Sequence, residues 1–258
     1  MEYQQYEFHS LDKPLSSADR KEINSWSSRA EVTATSATFT YSYSDFREDE
    51  FRVVDKYFDM MLYLANWGSK RLLLKVPAHL VNFNEIKLFD CSTSDEYYAE
   101  SEIIIKKKGN NVFIDLTESE EEGYIEWIET GSLIPLLSIR EDIINGDYRA
   151  LYLFWLHVMS KRVKYFENSE TLGHILKAIE PPVPPNLEKY TGALRDFVDF
   201  WEIDKSWIKA ASRMSSIHKE KALNVESSIQ SLSESEKIDY LHRLAKGEAR
   251  LHQTFLKF

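Results

Sequence analysis

Cysteine is almost absent from this chain of 258 residues: Cys91 stands alone. A single thiol excludes an intrachain disulfide and a cysteine-rich zinc site, and leaves the fold to rely on packing. Eight glycines and seven prolines are too few for an architecture dominated by loops. No apolar run is long enough for a bilayer. The most apolar one, from Ala150 to Met159, is short and carries His157, so no membrane association is expected. The opening Met1-Glu2-Tyr3-Gln4-Gln5 lacks the basic and apolar regions of a signal peptide, and a cytoplasmic location is the expectation. Walker A, G-x-G-x-x-G and G-x-S-x-G sequences are missing as well, so neither a phosphate-binding loop nor a nucleophile elbow can be placed.

What the chain does have is rings and negative charge. Six Trp, fourteen Tyr and fourteen Phe, within an apolar content of 43%, exclude wholesale disorder and promise cores built on large side chains. The net charge of −10 is uneven. Residues 1–130 carry 14 Lys+Arg against 25 Asp+Glu, a net of −11, whereas residues 131–258 carry 18 against 17. From Lys205 onward the count is 10 against 6. A broad basic footprint is therefore absent from the first half, and the tail is the better candidate for contact with nucleic acid.

Hydrophobic patterning divides the chain into an acidic, sheet-forming part (1–130) and a helical part (131–258), an α+β protein. The sheet part opens on an extended aromatic stretch through Tyr3, Tyr6 and Phe8. Ser16 then N-caps a helix, with Asp19 in the capping-box position and Ile23 and Trp26 on its apolar face. Val32 to Tyr43 reads as a strand. Phe51 to Leu64 has a helical period through Phe51, Val54, Phe58, Met61 and Leu62, with Gly68 as its stop. Arg71 to Val76 reads as a buried strand ending at Pro77, and Ala78 to Asp95 as irregular. Tyr97–Lys107 and Val112–Leu116, joined across Gly109-Asn110-Asn111, form the clearest hairpin. This order suggests one mixed sheet with two helices on one face, compatible with a ferredoxin-like arrangement.

In the helical part, Leu133–Ile144 and Tyr148–Val163 read as two helices broken at Asn145-Gly146-Asp147. The second is apolar nearly all round, as a helix buried on most sides must be, and is expected to dock the two parts together. Leu172–Ile179 reads as a short helix. Pro181-Pro182-Val183-Pro184-Pro185 is a stiff strap. Helices follow near Leu194–Trp201, Lys205–Met214 and Glu234–Lys246.

Few residues combine into a chemistry. The seven His, at 9, 79, 157, 174, 218, 242 and 252, form no pair with metal-ligand spacing on one helical face, so no metal and no cofactor are expected. His157, in the apolar helix, reads as a hydrogen-bonded core residue. Cys91 reads as an incidental thiol, with His79 too far along the chain to imply contact. Glu118 and Glu120 to Glu122 read as a solvated acidic connector. Glu85-Ile86-Lys87 matches a short nuclease triad, but the preceding strand supplies no carboxylate, and Asp115 finds no matching partner. Lys106-Lys107-Lys108 reads as a solvated, lysine-protected edge. Asn66 and Trp67, with Tyr3 and Tyr6, are candidates for an interaction surface because such aromatics anchor interfaces. Lys205, Lys209, Arg213, Lys219 and Lys221 are the candidates for contact with nucleic acid.

Several segments of the first third belong together: Glu2-Tyr3-Gln4-Gln5-Tyr6-Glu7-Phe8, Asp12-Lys13-Pro14-Leu15, Ser27-Ser28-Arg29-Ala30, and Tyr57-Phe58-Asp59 through Asn66-Trp67-Gly68. Together they resemble a bacterial family of uncharacterised proteins, as does the proline run at 181–185. Thr33-Ala34-Thr35-Ser36-Ala37 departs from the family in lacking a proline and an aromatic, and Tyr43-Ser44-Asp45-Phe46 replaces a tryptophan-glycine corner. Members of that family are encoded near SWIM-type zinc-finger proteins and helicases, and the family lends no catalytic residue. The resemblance implies an accessory, non-catalytic subunit of a DNA-processing or antiviral defence complex, with a helicase or zinc-finger protein as partner. An enzyme, a nuclease or other hydrolase whose site is assembled from distant residues, is the alternative.

Overall fold

A computed structural model describes residues 3–42, 44–92, 101–119, 132–165, 180–216 and 232–245. The chain divides into two compact units, residues 1–216 and residues 217–258. The first is an α+β body around a seven-stranded sheet. Its strands are β1 (Gln4–His9), β2 (Glu31–Val32), β3 (Ser36–Tyr41), β4 (Met60–Ala65), β5 (Lys70–Pro77), β6 (Ser101–Lys108) and β7 (Asn111–Glu118). They lie in the order β2-β3-β1-β4-β5-β7-β6, and every pairing is antiparallel. The sheet is thus wider than a ferredoxin-like one and contains no parallel pair.

Helices cover both faces of the sheet rather than one, because its central strands are apolar on both sides. Met61, Leu73 and Phe113 point to one face, where they meet Ile23 of α1 (Ser17–Asn24) and Val53 and Val54 of α2 (Glu50–Tyr57). Met60, Leu62, Leu72, Leu74, Ile114 and Leu116 point to the other. That face is covered by α3 (Phe83–Lys87), α4 (Leu137–Ile144), α5 (Arg149–Tyr165), α6 (Gly192–Phe200) and α7 (Lys205–Ser212). Alternation along each strand makes this sorting automatic.

The α1 cap forms as its sequence specifies: the Ser16 hydroxyl accepts from the Asp19 amide, and the Asp19 carboxylate accepts from the Ser16 amide at 3.0 Å. Two other segments fold differently from their periodicity. The stretch expected as one strand from Val32 holds a hairpin, Glu31–Val32 paired with Ser36–Tyr41. Thr33 Oγ1 accepts from the amides of Thr35 and Ser36 at 3.1 and 2.9 Å, and this turn reverses the chain between β2 and β3. The helix expected over Phe51–Leu64 stops at Tyr57, where Phe58 is extended (φ −127°, ψ 172°). Met60–Ala65 becomes a central strand paired with β1 and β5. A continuous apolar run satisfies either period, and the strand wins because both of its neighbours supply a ladder. Gly68 (φ +110°) consequently sits in a β-hairpin turn rather than at a helix end.

The first face is an aromatic cluster. Tyr6 lies 4.7 Å from Tyr63 and 5.0 Å from Phe46 between ring centroids, Phe39 lies 5.0 Å from Phe46, and Trp26 stacks on Phe39. On the second face α5 is buried at every position from Ala150 to Met159. Within the first unit it packs against β6, α6 and α7, as its all-round apolarity requires. Gly146 (φ +83°) makes the corner before it. Pro181 to Pro184 form neither helix nor strand, Pro185 begins a turn, and Pro181 and Pro184 are buried. In the second unit the described residues carry α8 (Glu234–Ala245). Tyr97, Tyr98, Glu120 to Glu122, the helix expected at Leu172–Ile179, Lys219 and Lys221 lie outside the described residues.

Candidate functional site

Across three neighbouring strands the register aligns Lys70 with Glu118 and Glu118 with Ser101. All three are buried polar residues on the face covered by α3 to α7. Above them the apolar surface of α5 gives way to His157 and Lys161, one turn apart. Glu118 Oε1 lies 3.0 Å from His157 Nε2 and accepts from Lys161 Nζ at 2.9 Å. Burial opposes ionisation of Glu118, but hydrogen bonds and charge from His157 and Lys161 outweigh it and hold the carboxyl down at about 2. Lys70 Nζ turns away, donating to the Phe200 carbonyl at 3.1 Å near the α6 C-terminus and to Glu202 at 3.2 Å. A cation is favoured there by the helix dipole.

A buried Ser, His and Glu are thus brought together from three elements, yet their bonding is not that of a nucleophilic triad. The His157 nitrogen in view is committed to Glu118, and the buried Ser101 hydroxyl has no hydrogen-bond partner among the described residues. A hydroxyl without a base in hydrogen-bond reach is not activated. Next to this cluster Arg162 donates to the Cys91 carbonyl at 2.7 Å. Burial pushes the Cys91 thiol up to about 11, which keeps it protonated at neutral pH.

A second buried network ties the chain together at the other end of β5. Arg140, fully enclosed on α4, forms a bidentate pair with Asp12 at 3.0 and 2.7 Å and donates to the Lys75 carbonyl. Asp59 accepts from the amides of Leu11 and Asp12 at 2.7 and 2.9 Å and lies 3.4 Å from Lys75 Nζ. Lys75 in turn donates to the Val54 carbonyl at 2.9 Å, near the α2 C-terminus. Each charge is matched by the opposite charge and by backbone, the condition under which buried ions are tolerated. On the opposite face Arg71 makes a bidentate pair with Asp115, both bonds 2.8 Å. Asp115 is thus held in an ion pair by the adjacent strand.

The residues singled out in the sequence are dispersed. Tyr6 is 5% exposed inside the aromatic cluster, a core residue and not part of a surface. Asn66 Oδ1 accepts from the Tyr3 amide at 2.9 Å and its own amide donates to the Tyr3 carbonyl, so the two residues extend the β1–β4 pairing. Trp67 is half-buried in the β4–β5 turn, not at a helix-to-strand corner. Glu118 is not a solvated connector residue but a buried anchor, and His157 is the hydrogen-bonded core residue its setting implied. Glu85 and Lys87 sit on α3 rather than on a strand. Lys106, Lys107 and Lys108 are exposed on the edge strand, where Lys108 pairs with Asp55 at 2.9 Å. Lys205, Lys209 and Arg213 are all exposed, at four-residue spacing along α7 and its C-cap. Ser101, Lys161 and the Arg140 network were invisible in the sequence because only strand register and helix packing bring such residues together. A polar pair at the end of an apolar helix, His157 and Lys161, is the one local signal that could have been read.

Among the described residues no group of three or more His, Cys, Asp or Glu is placed to hold a metal ion, and no helix is long and apolar enough to cross a membrane. No protein-family model matches the chain, and neither does any curated protein or solved structure.

Proposed function

We propose that the chain is a non-catalytic accessory subunit that docks on an acidic surface of a protein partner through the exposed face of α7. The observation that carries this reading is the grouping of Lys205, Lys209 and Arg213 on one helical stripe, with Met214, 73% exposed, beside them. Four-residue spacing stacks such side chains on one face. Cations at a rim steer association, and an exposed methionine adapts its shape to an apolar contact. The ionisable groups of the interior are, by contrast, spent on internal pairs: Glu118 on His157 and Lys161, Arg140 on Asp12. In line with the family resemblance, the partner is a helicase or SWIM-type zinc-finger protein of a bacterial DNA-processing or antiviral defence complex, met in the cytoplasm.

The test is affinity capture of the locus-encoded partner by the full chain and by a Lys205→Glu/Lys209→Glu/Arg213→Glu variant. Charge reversal should weaken capture at least about tenfold, since like charges juxtaposed at an interface are costly. Undiminished capture by the variant would overturn the reading. The same stripe also favours nucleic acid as the ligand. That second reading requires affinity for a DNA duplex that falls steeply with added salt and disappears in the triple variant. The hydrolase reading draws no support from Ser101, Glu118 and His157, whose bonding is not that of a triad, and requires an activity that His157→Gln abolishes while the fold is retained.

A further inference from the structure

Strand β6 ends the sheet, with β7 on one side. Among the described residues, its other side is met by the segment from Lys87 to Cys91 and not by a strand. The Cys91 amide donates to the Ile103 carbonyl at 3.0 Å. The Ile105 amide donates to Asp90 Oδ2 at 2.7 Å, and Lys87 Nζ donates to the Ile105 carbonyl at 2.9 Å. Asp90 Oδ2 also accepts from Lys87 Nζ at 2.7 Å, so one carboxylate oxygen links the guarding lysine to the strand. Asp90 Oδ1 is held by the Ser92 hydroxyl at 2.8 Å. These contacts occupy the outward carbonyl of Ile103 and both the amide and the carbonyl of Ile105, groups that a neighbouring strand would use.

We infer that the Lys87–Cys91 segment, pinned to the strand through Asp90, is an edge guard whose release lets β6 pair with β6 of a second copy of this chain. The strand is self-complementary in one antiparallel register. Ile103 and Ile105 point their backbone groups outward, so two copies can exchange N–H···O bonds between Ile103 of one and Ile105 of the other. That register puts Glu102 of each copy opposite Lys106 of its mate, an opposite-charge cross-strand pair. Ile104 then lies opposite itself, at a non-hydrogen-bonded position where side chains approach most closely. Ile103, Ile104 and Ile105 give the strand the β-branched, uncharged centre that invites such pairing. The three lysines at its end protect only that end. In the middle, a carboxylate on an outward amide does what a lysine cannot, because it satisfies the donor that a partner strand needs.

The experiment uses the full chain with Asp90→Ala, and its mass is followed by light scattering across a concentration series. The variant should shift from monomer toward dimer as concentration rises, while the unsubstituted protein stays unchanged over the same range. Register is read in a Cys91→Ala background carrying Ile104→Cys. Under mild oxidation a disulfide-linked dimer should accumulate with Asp90→Ala and not without it, because the geometry suits a non-hydrogen-bonded pair. A folded Asp90→Ala variant that remains monomeric, or that dimerises without the disulfide cross-link at position 104, overturns the inference. Should Asp90→Ala fail to fold, Lys87→Ala/Asp90→Asn loosens both side-chain contacts with little change of volume at the carboxylate and is judged by the same two outcomes. Amide exchange supplies an independent measure: the Ile105 amide should be protected in the unsubstituted protein, and rapid exchange there would equally overturn the guard.

Discussion

Replacing Glu118 by glutamine tests whether the buried polar row is a structural lock. The substitution keeps shape and a hydrogen-bonding oxygen but removes the charge that His157 and Lys161 meet. In the folded chain the carboxyl is held at about 2, against 4.5 for the free side chain. At roughly 1.4 kcal/mol for each tenfold change in proton affinity, this corresponds to about 3 kcal/mol of folding stability at neutral pH. The side chain is 5% exposed, so screening by solvent removes little of it. The sign follows from the depression. The stabilisation is complete above 4.5, shrinks as pH falls, and is nearly gone at 2; at pH 3 somewhat under half should remain. Urea unfolding of both proteins at pH 7 and pH 3 measures it. The gap between the unsubstituted chain and Glu118→Gln should narrow from about 3 to between roughly 1 and 2 kcal/mol. A gap that is the same at both pH values would refute the electrostatic account and leave packing as the cause.

Asp142 should show the opposite dependence. Burial and the neighbouring Asp147 raise it to about 6, so its ionisation destabilises the fold above that pH, and stability returns as pH falls from 6 toward 3.8. Asp142→Asn should therefore raise the urea midpoint at about pH 7.5 and leave it almost unchanged at about pH 4. Arg140→Ala removes the bidentate partner of Asp12 and the buried donor to the Lys75 carbonyl and should cost about 3–5 kcal/mol in chemical denaturation. Arg140→Lys should recover only part of this, since an ammonium cannot span both oxygens of Asp12. Gly68→Ala forces a Cβ onto a backbone with φ +110° and should lower stability by at least roughly 1 kcal/mol, read as a fall in Tm.

The α1 cap, the β6–β7 hairpin, the strand at Arg71–Val76 and the all-round apolar helix could be read from the sequence because each is specified within a few residues of itself. Ser16 and Asp19 are three positions apart. Gly109 supplies the positive φ that a two-residue turn needs. Leu151, Leu153, Phe154 and Leu156 lie on different sides of the helix and can all be buried only if α5 is enclosed. The misread segments were those with two local solutions. Met60–Leu64 fits a helix stripe as well as a strand, and only the ladders offered by Gln4–His9 and Lys70–Leu74 choose between them. Thr33 to Ser36 is polar enough for a strand edge or a turn, and side-chain bonds from Thr33 select the turn.

For the candidate site the division is sharper. Composition alone determined that the interior would be aromatic and held together without disulfides, and that cations would gather toward the tail. The exposure of Lys205, Lys209 and Arg213 follows from helical spacing beside Ile208 and Ala211, both buried on the opposite side. What only the tertiary structure decided is which charges are partners. Glu118 meets His157, Arg140 meets Asp12, and Asp90 meets the Ile105 amide because strand register and helix packing bring distant residues within 3 Å of one another. A carboxylate carries no mark in the sequence of whether it will face water or an amide. Coulomb attraction and desolvation depend on distance and surroundings, and those exist only once the sheet has closed between its helices.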